Sequence, residues 1–180
     1  GGELMKGSVL NIAESATISG GVVNGTLSGV GSVSIDGDVE LGTTGKITTD
    51  KLLVDGSLSV SSKGLAMNSK ASVITLSGGT LSSAGKISAY SLSMTGGTLD
   101  VTNGKPMGIS LKDAFVATDG ADIDLYGALT ANQLTLEGVH FTLAMDAADI
   151  APKVQPKAQS LTLKGKGLLN TISDSELDIA

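Results

Sequence analysis

The sequence contains no cysteine, no tryptophan and no arginine. Without cysteine there are no disulfides and no thiolate zinc sites; the compartment stays open, because a secreted bacterial protein can also lack cysteine. Without arginine, all 12 basic residues are lysines, set against 18 Asp and Glu for a net charge of −6. That balance, with no lysine cluster, lacks the basic footprint that phosphate backbones demand, so nucleic acid is excluded as a partner. Aromatics amount to 2%: Tyr90, Tyr126, Phe115 and Phe141. No apolar run approaches the ~18 residues of a membrane span. Helix signals are nearly missing too. The best stretch is "AMDAADIAPKVQPKAQ" (144–159), where Pro152 and Pro156 limit a helix to about two turns.

What is present is aliphatic and small. Hydrophobic residues make up 41% and glycines number 25 among 180 residues. Disorder needs low hydrophobicity and high net charge, so this chain folds, and its length suits one domain. With so few rings, the core must be built of Leu, Val, Ile and Ala in thin layers.

A spacing recurs in it. "SLSMTGGTLDV" (91–101) and "QLTLEGVHFTL" (133–143) share apolar first and third places, a glycine fifth, and apolar eighth and tenth places. These are Leu92, Met94, Gly96, Leu99 and Val101, then Leu134, Leu136, Gly138, Phe141 and Leu143. The first four places recur in Ile74, Leu76, Gly78 and Leu81 and in Leu161, Leu163, Gly165 and Leu168. A version one residue shorter fits Val33, Ile35, Gly37, Val39 and Leu41, and also Leu52, Val54, Gly56, Leu58 and Val60. Ile123, Leu125, Gly127 and Leu129 fit it loosely. Successive copies start roughly 20 residues apart, a period of repeat architectures.

Alternation of period two puts Leu52 and Val54 on one face and Leu53 and Asp55 on the other. Glycine in fifth place permits the positive φ of a tight corner. The expected fold is all-β: a single-stranded parallel β-solenoid with about 20 residues per coil, right-handed in preference to left-handed. A left-handed hexapeptide solenoid would show a strict six-residue rhythm, which is missing. An antiparallel sandwich has short strands and glycine turns, but no ~20-residue frame. Residues 1–180 form one solenoid segment, with loop insertions near 102–115, which holds Pro106, and 144–159. The alternating "SELDIA" ending and the start at Gly1 and Gly2 are expected to be boundaries of a piece of a longer repeat protein.

Candidate chemistry is sparse. His140 falls on the outward face and has no second histidine or cysteine with which to hold zinc. Asp36, Asp38 and Glu40 in "IDGDVE" alternate, so all three are expected to line one outward face. There they would hold a hard cation or act as an acid pair, although a solvated face is the plainer reading. "DGADIDLYG" (119–127) approximates the calcium nonapeptide, but Asp122 stands three places before Leu125 rather than two, and there is one copy. Asn24 to Thr26 forms a glycosylation sequon. Glycine pairs at 20–21, 78–79 and 96–97 lack a strand–helix context and read as corners rather than phosphate loops. No catalytic, cofactor-binding or metal-ligating residue is expected.

The stretches "ITLSGGTL" (74–81) and "SGGTLSSAGKISAYSLSMTGGTLDVTNG" (77–104) resemble the rungs of bacterial autotransporter passengers and related surface-adhesin β-helices. The likeness runs from about Ile18 to Leu169. It implies a secreted or cell-surface, non-catalytic stalk or adhesin. The implied partners are a surface glycan or protein and neighbouring coils of the parent chain. A second stretch, "ISGGVVNGTLSGVGSVSIDGDVE" (18–40), is similar to bactofilin rungs, with Leu41 where a glycine would stand; that resemblance implies a cytoskeletal, filament-forming scaffold. A polysaccharide-active β-helix enzyme is the third reading, and it needs carboxylates clustered across neighbouring coils.

Overall fold

The computed structural model describes residues 2–68, 70–101, 108–127, 129–144, 157–164, 168–172 and 178–179, with side-chain surroundings up to residue 142. Every strand pairing among them is parallel, and the strands wind into a β-solenoid of about 7 turns, successive turns lying about 19 residues apart. Each turn contributes three short strands, so the coils stack as three columns.

The first column runs through the segments at 9–11, 26–29, 46–49, 65–66, 87–89, 109–111 and 129–131. Its inward positions are Leu27, Ile47, Leu65, Ile87, Ile109 and Leu129, all about 1% exposed or less. In the second column Val33, Leu52, Ile74, Leu92, Phe115 and Leu134 are successive ladder partners. The third column stacks Val39, Leu58, Leu81, Leu99, Ile123 and Phe141 in the same way. Each stack is apolar because two sequence positions apart means the same face. Stacking like on like buries each side chain against the coil before and the coil after it.

The recurring spacing spans the second column, a corner and the third column. Glycine at the corner does two different jobs. Gly78 and Gly96, in the fifth place, have φ of 82° and 67°, conformations that a β-carbon penalises. Gly79, just beyond, is held by close approach alone, since a β-carbon on it would press on Gly56 O, whereas Gly97 combines a φ of 76° with a β-carbon position that would press on Gly79 O.

One copy of the spacing, longer by a residue after its fifth place, was hidden. Phe115 and Ala117 lead through Asp119 to Ile123 and Leu125, and Asp119 takes the glycine's place at φ 56°. A short polar side chain tolerates this left-handed region better than most. The loose copy at 123–129 is therefore out of frame, since it runs from the third column into the first. Ring volume is compensated locally. The coil that inserts Phe115 places alanines at buried Ala117 and Ala121, in keeping with a fixed interior volume.

The two expected insertions need correction. Of 102–115, residues 102–107 lie outside the described residues. Residues 109–111 and 114–115 are not loop but rungs: Ile109 pairs with Ile87, and fully buried Phe115 pairs with Leu92. Of 144–159, Ala144 ends a third-column strand and 157–159 open the strand Lys157–Lys164. Residues 145–156, with Pro152 and Pro156, lie outside the described residues. Thin hydrophobicity was a poor guide at 109–111 and 114–115, because a rung needs only two inward side chains.

Among the described residues Thr49, Ser72 and Ser83 are buried polar residues with side-chain partners, while the shielded Ser61 Oγ has none. Ser83, stacked in line with Leu41 and Val60, donates to Gly85 O at 2.7 Å and accepts from Gly85 N–H at 3.2 Å. Thr49 donates to Lys51 O at 3.1 Å, and Ser72 Oγ accepts from Tyr90 N–H at 3.1 Å. An inward hydroxyl is tolerated when the neighbouring turn supplies its partner.

Candidate functional site

The outward face of the third column carries most of the ionisable side chains that sequence reading singled out. The ladder fixes their order. One outward row runs Gly20, Asp38, Ser57, Thr80, Thr98, Asp122, His140, and the next runs Val22, Glu40, Ser59, Ser82, Asp100, Asp124, Thr142.

Asp36, Asp38 and Glu40 do not all share this face. Asp38 and Glu40 sit in the two rows opposite Ser57 and Ser59, but Asp36 stands at the corner, after Ile35 ends the second-column pairing. The chain passes from the second to the third column at residues 36–37, so Asp36 lies between the two ladders although the alternation of Ile35, Val39 and Leu41 carries through unbroken. The coils on either side add no carboxylate to Asp38 or Glu40. Among the described residues there is no group of three or more His, Asp or Glu placed to hold a metal ion.

A different acidic set is brought together instead. Asp100 and Asp124 are ladder partners on successive coils, where strands lie about 4.8 Å apart. Asp122 lies in the adjoining row, and above it stands His140, whose Nδ1 is 3.0 Å from Asp122 Oδ1. Main-chain bonds hold the pair in register: Asp122 N–H donates to Gly97 O and His140 N–H to Ala121 O, each at 2.9 Å. Asp122 Oδ1 is itself shielded from solvent, although the two side chains are 47% and 48% exposed. The contact is one of charge proximity, since the oxygen has no hydrogen-bond partner of its own. The neighbouring hydroxyl in the row, Thr98, lies on the far side of Asp122 from the imidazole. The row therefore does not set a hydroxyl nucleophile against the histidine.

His140 is thus an outward residue, as its place in the spacing required, but it has a partner. The sequence held the signal in the alignment of "DIDLY" with "HFTLA", which was concealed by the copy hidden behind Asp119.

The remaining motifs are structural. Asp119 and Gly120 form the corner before the strand Asp122–Tyr126, and Ile123 and Leu125 point inward. Asn24 is tied to coils on both sides: its Nδ2 donates to Glu3 Oε1 at 2.9 Å, and its main-chain oxygen accepts from Thr44 Oγ1 at 2.8 Å. A glycan on Nδ2 would compete with the Glu3 bond. The glycine pairs at 20–21, 78–79 and 96–97 lie in strands or at corners, with no helix following.

Comparison with known proteins finds no relative. No family model matches the chain, and neither a curated protein nor a solved structure is significantly similar to it. The β-solenoid stands on its own coordinates, and any role must be argued from its surface.

Proposed function

We propose that this chain is a non-catalytic structural segment of a secreted or cell-surface bacterial protein, a stalk or adhesive rod of the autotransporter-passenger kind. One observation carries this reading. The second and third columns are bridged at every described step from Ser15 to Lys164 and from Gly2 to Ile172. Such an array resists bending because each rung would have to lose both ladder bonds and packing.

The outward rows fit display. Ser34, Leu53, Thr75, Ser93, Val116 and Thr135 follow one another on the second column, and the third is mainly Ser, Thr and Asp, with Gly20, Val22, Glu40 and His140. Flat rows of short side chains lose little rotamer entropy on contact and suit broad, shallow recognition of a surface glycan or protein.

Protease treatment of intact cells, followed with an antibody against this segment, tests the placement. Loss of a large parent band supports a surface rod. A small band that survives until lysis overturns it in favour of a cytoplasmic filament protein.

A second reading rests on Asp100 and Asp124. Two carboxylates on adjacent coils, with the Asp122–His140 pair beside them, meet the minimal requirement of a polysaccharide-active β-helix enzyme. Turnover of uronic-acid polymers that disappears in Asp124→Asn would establish it. Absence of turnover across such polymers removes it.

A further inference from the structure

The second column presents a flat sheet face whose outward residues are all exposed or half-buried. Seven stacked segments build it, from residues 15–18 to residues 133–137. Outward positions two apart along a strand give it three rows. The middle row runs from Thr17 through Leu53 and Val116 to Thr135 and carries no charge. Lys51 is the single charge of the first row, and Asp36, Asp55 and Glu137 stand in the last. The three coils between, from Val73 to Thr118, have no charged outward position at all. The third column differs, because Asp38, Glu40, Asp100, Asp122 and Asp124 on its outward rows would repel a like face.

We infer that two copies of the chain pack face to face through the second column, with their rods parallel. The charges set the direction. Two like sheets packed about a two-fold axis allow two alignments. With the axis along the rod, the first row of one copy lies over the last row of the other, coil for coil. Lys51 then meets the partner's Asp55, twice by symmetry, while Asp36 meets the partner's Ser32 and Glu137 the partner's Gln133. With the axis along the strands the rods run antiparallel, and each row lies over itself. Lys51 then finds no carboxylate, and the three carboxylates share one row. Only the parallel alignment pairs opposite charges. Lys51 and Asp55 are exposed, and neither forms an ion pair among the described residues.

The area is sufficient. Seven segments stacked ~4.8 Å apart and about 17 Å long give a face of roughly 570 Å² per copy. Two such faces total roughly 1,100 Å², just above the ~1,000 Å² that a specific interface needs. Leu53, Val73 and Val116 supply apolar contact near its middle. A pair of this size is weak, so the chain is monomeric below about 1 μM. The inference is independent of whether the rod stands on a cell surface, and it leaves the third column free for display.

Sedimentation equilibrium of the full chain tests it. A 17.9 kDa monomer should convert to dimer with a Kd of ~10–500 μM. Ser93→Lys, which sets two lysines against each other at the centre, should weaken the dimer more than tenfold. Ser93 faces outward, so an unchanged melt of the dilute variant serves as the folding control. Lys51→Glu should weaken the dimer about tenfold, and the swap Lys51→Glu/Asp55→Lys should restore it. Pyrene on Thr17→Cys, at one end of the face, reports direction. Parallel rods bring the two labels together, so excimer emission should rise with concentration alongside the dimer. A chain that stays monomeric at about 1 mM overturns the inference, and retention of that monomer on cellulose would assign the face to a glycan. A dimer untouched by Ser93→Lys, one not restored by the swap, or one without Thr17→Cys excimer overturns it equally.

Discussion

Replacing Gly79 and, separately, its neighbour Gly78 by alanine tests whether the corners are built as described. The two glycines are adjacent, but the structure assigns them different costs. At Gly78 a β-carbon meets nothing within 4 Å, but φ is 82°. The penalty is that of a left-handed alanine, about 1–2 kcal/mol, offset by about 0.4–1 kcal/mol from the stiffer unfolded chain. At Gly79 the conformation is permitted, but the new carbon would lie 2.6 Å from Gly56 O and 2.8 Å from Asp55 C. Carbon atoms prefer separations of about 3.5–4.0 Å, and these obstacles are main chain of the preceding coil, so no side chain can swing aside. Relief requires the coils to separate, an overpacking cost at or above the top of the ~1–3 kcal/mol range. The expected order is Gly79→Ala well below Gly78→Ala in stability, by at least about 1 kcal/mol. Urea titrations followed by circular dichroism and by hydrogen exchange at the corner amides would read it. Equal losses, or a greater loss at Gly78, would refute close stacking at this corner.

Phe115→Ala should cost about 3–5 kcal/mol, because its ring is fully buried between Leu92 and Leu134 and adjacent coils cannot close over the void; chemical denaturation measures it. Leu52→Lys should abolish the cooperative melt, whereas Leu53→Lys, on the outward face, should shift stability by no more than about 0.5 kcal/mol. The Asp122–His140 pair should contribute at most about 1 kcal/mol and fade with added salt, since both side chains are about half exposed; a double-mutant cycle at low and high ionic strength checks this.

The period-two alternation and the corner glycines made two of the three columns legible in advance. They are the positions where the backbone itself restricts the side chain. The first column escaped because its strands are two to four residues long and carry a single dominant inward residue, as at Leu65 or Leu129. Its signal lay in a glycine shortly before an aliphatic residue, at Gly25 and Leu27, Gly45 and Ile47, Gly85 and Ile87. Asp119 hid another copy by doing a glycine's work with a side chain. The Asp100–Asp124 stack was illegible for the same reason, since neighbours in a row are set by register rather than by nearness in the chain.

The central claim is parallel, in-register stacking of coils, and the absence of cysteine allows it to be tested with two introduced thiols. Thr75 and Ser93 are outward ladder partners on successive coils, so pyrene labels on Thr75→Cys/Ser93→Cys should lie about 4.8 Å apart at the backbone. Strong excimer emission, independent of protein concentration, is the predicted result. The control Thr75→Cys/Ser110→Cys places labels on two different columns and should emit as monomer. Monomer emission from the first pair, or equal excimer from both, would contradict the solenoid.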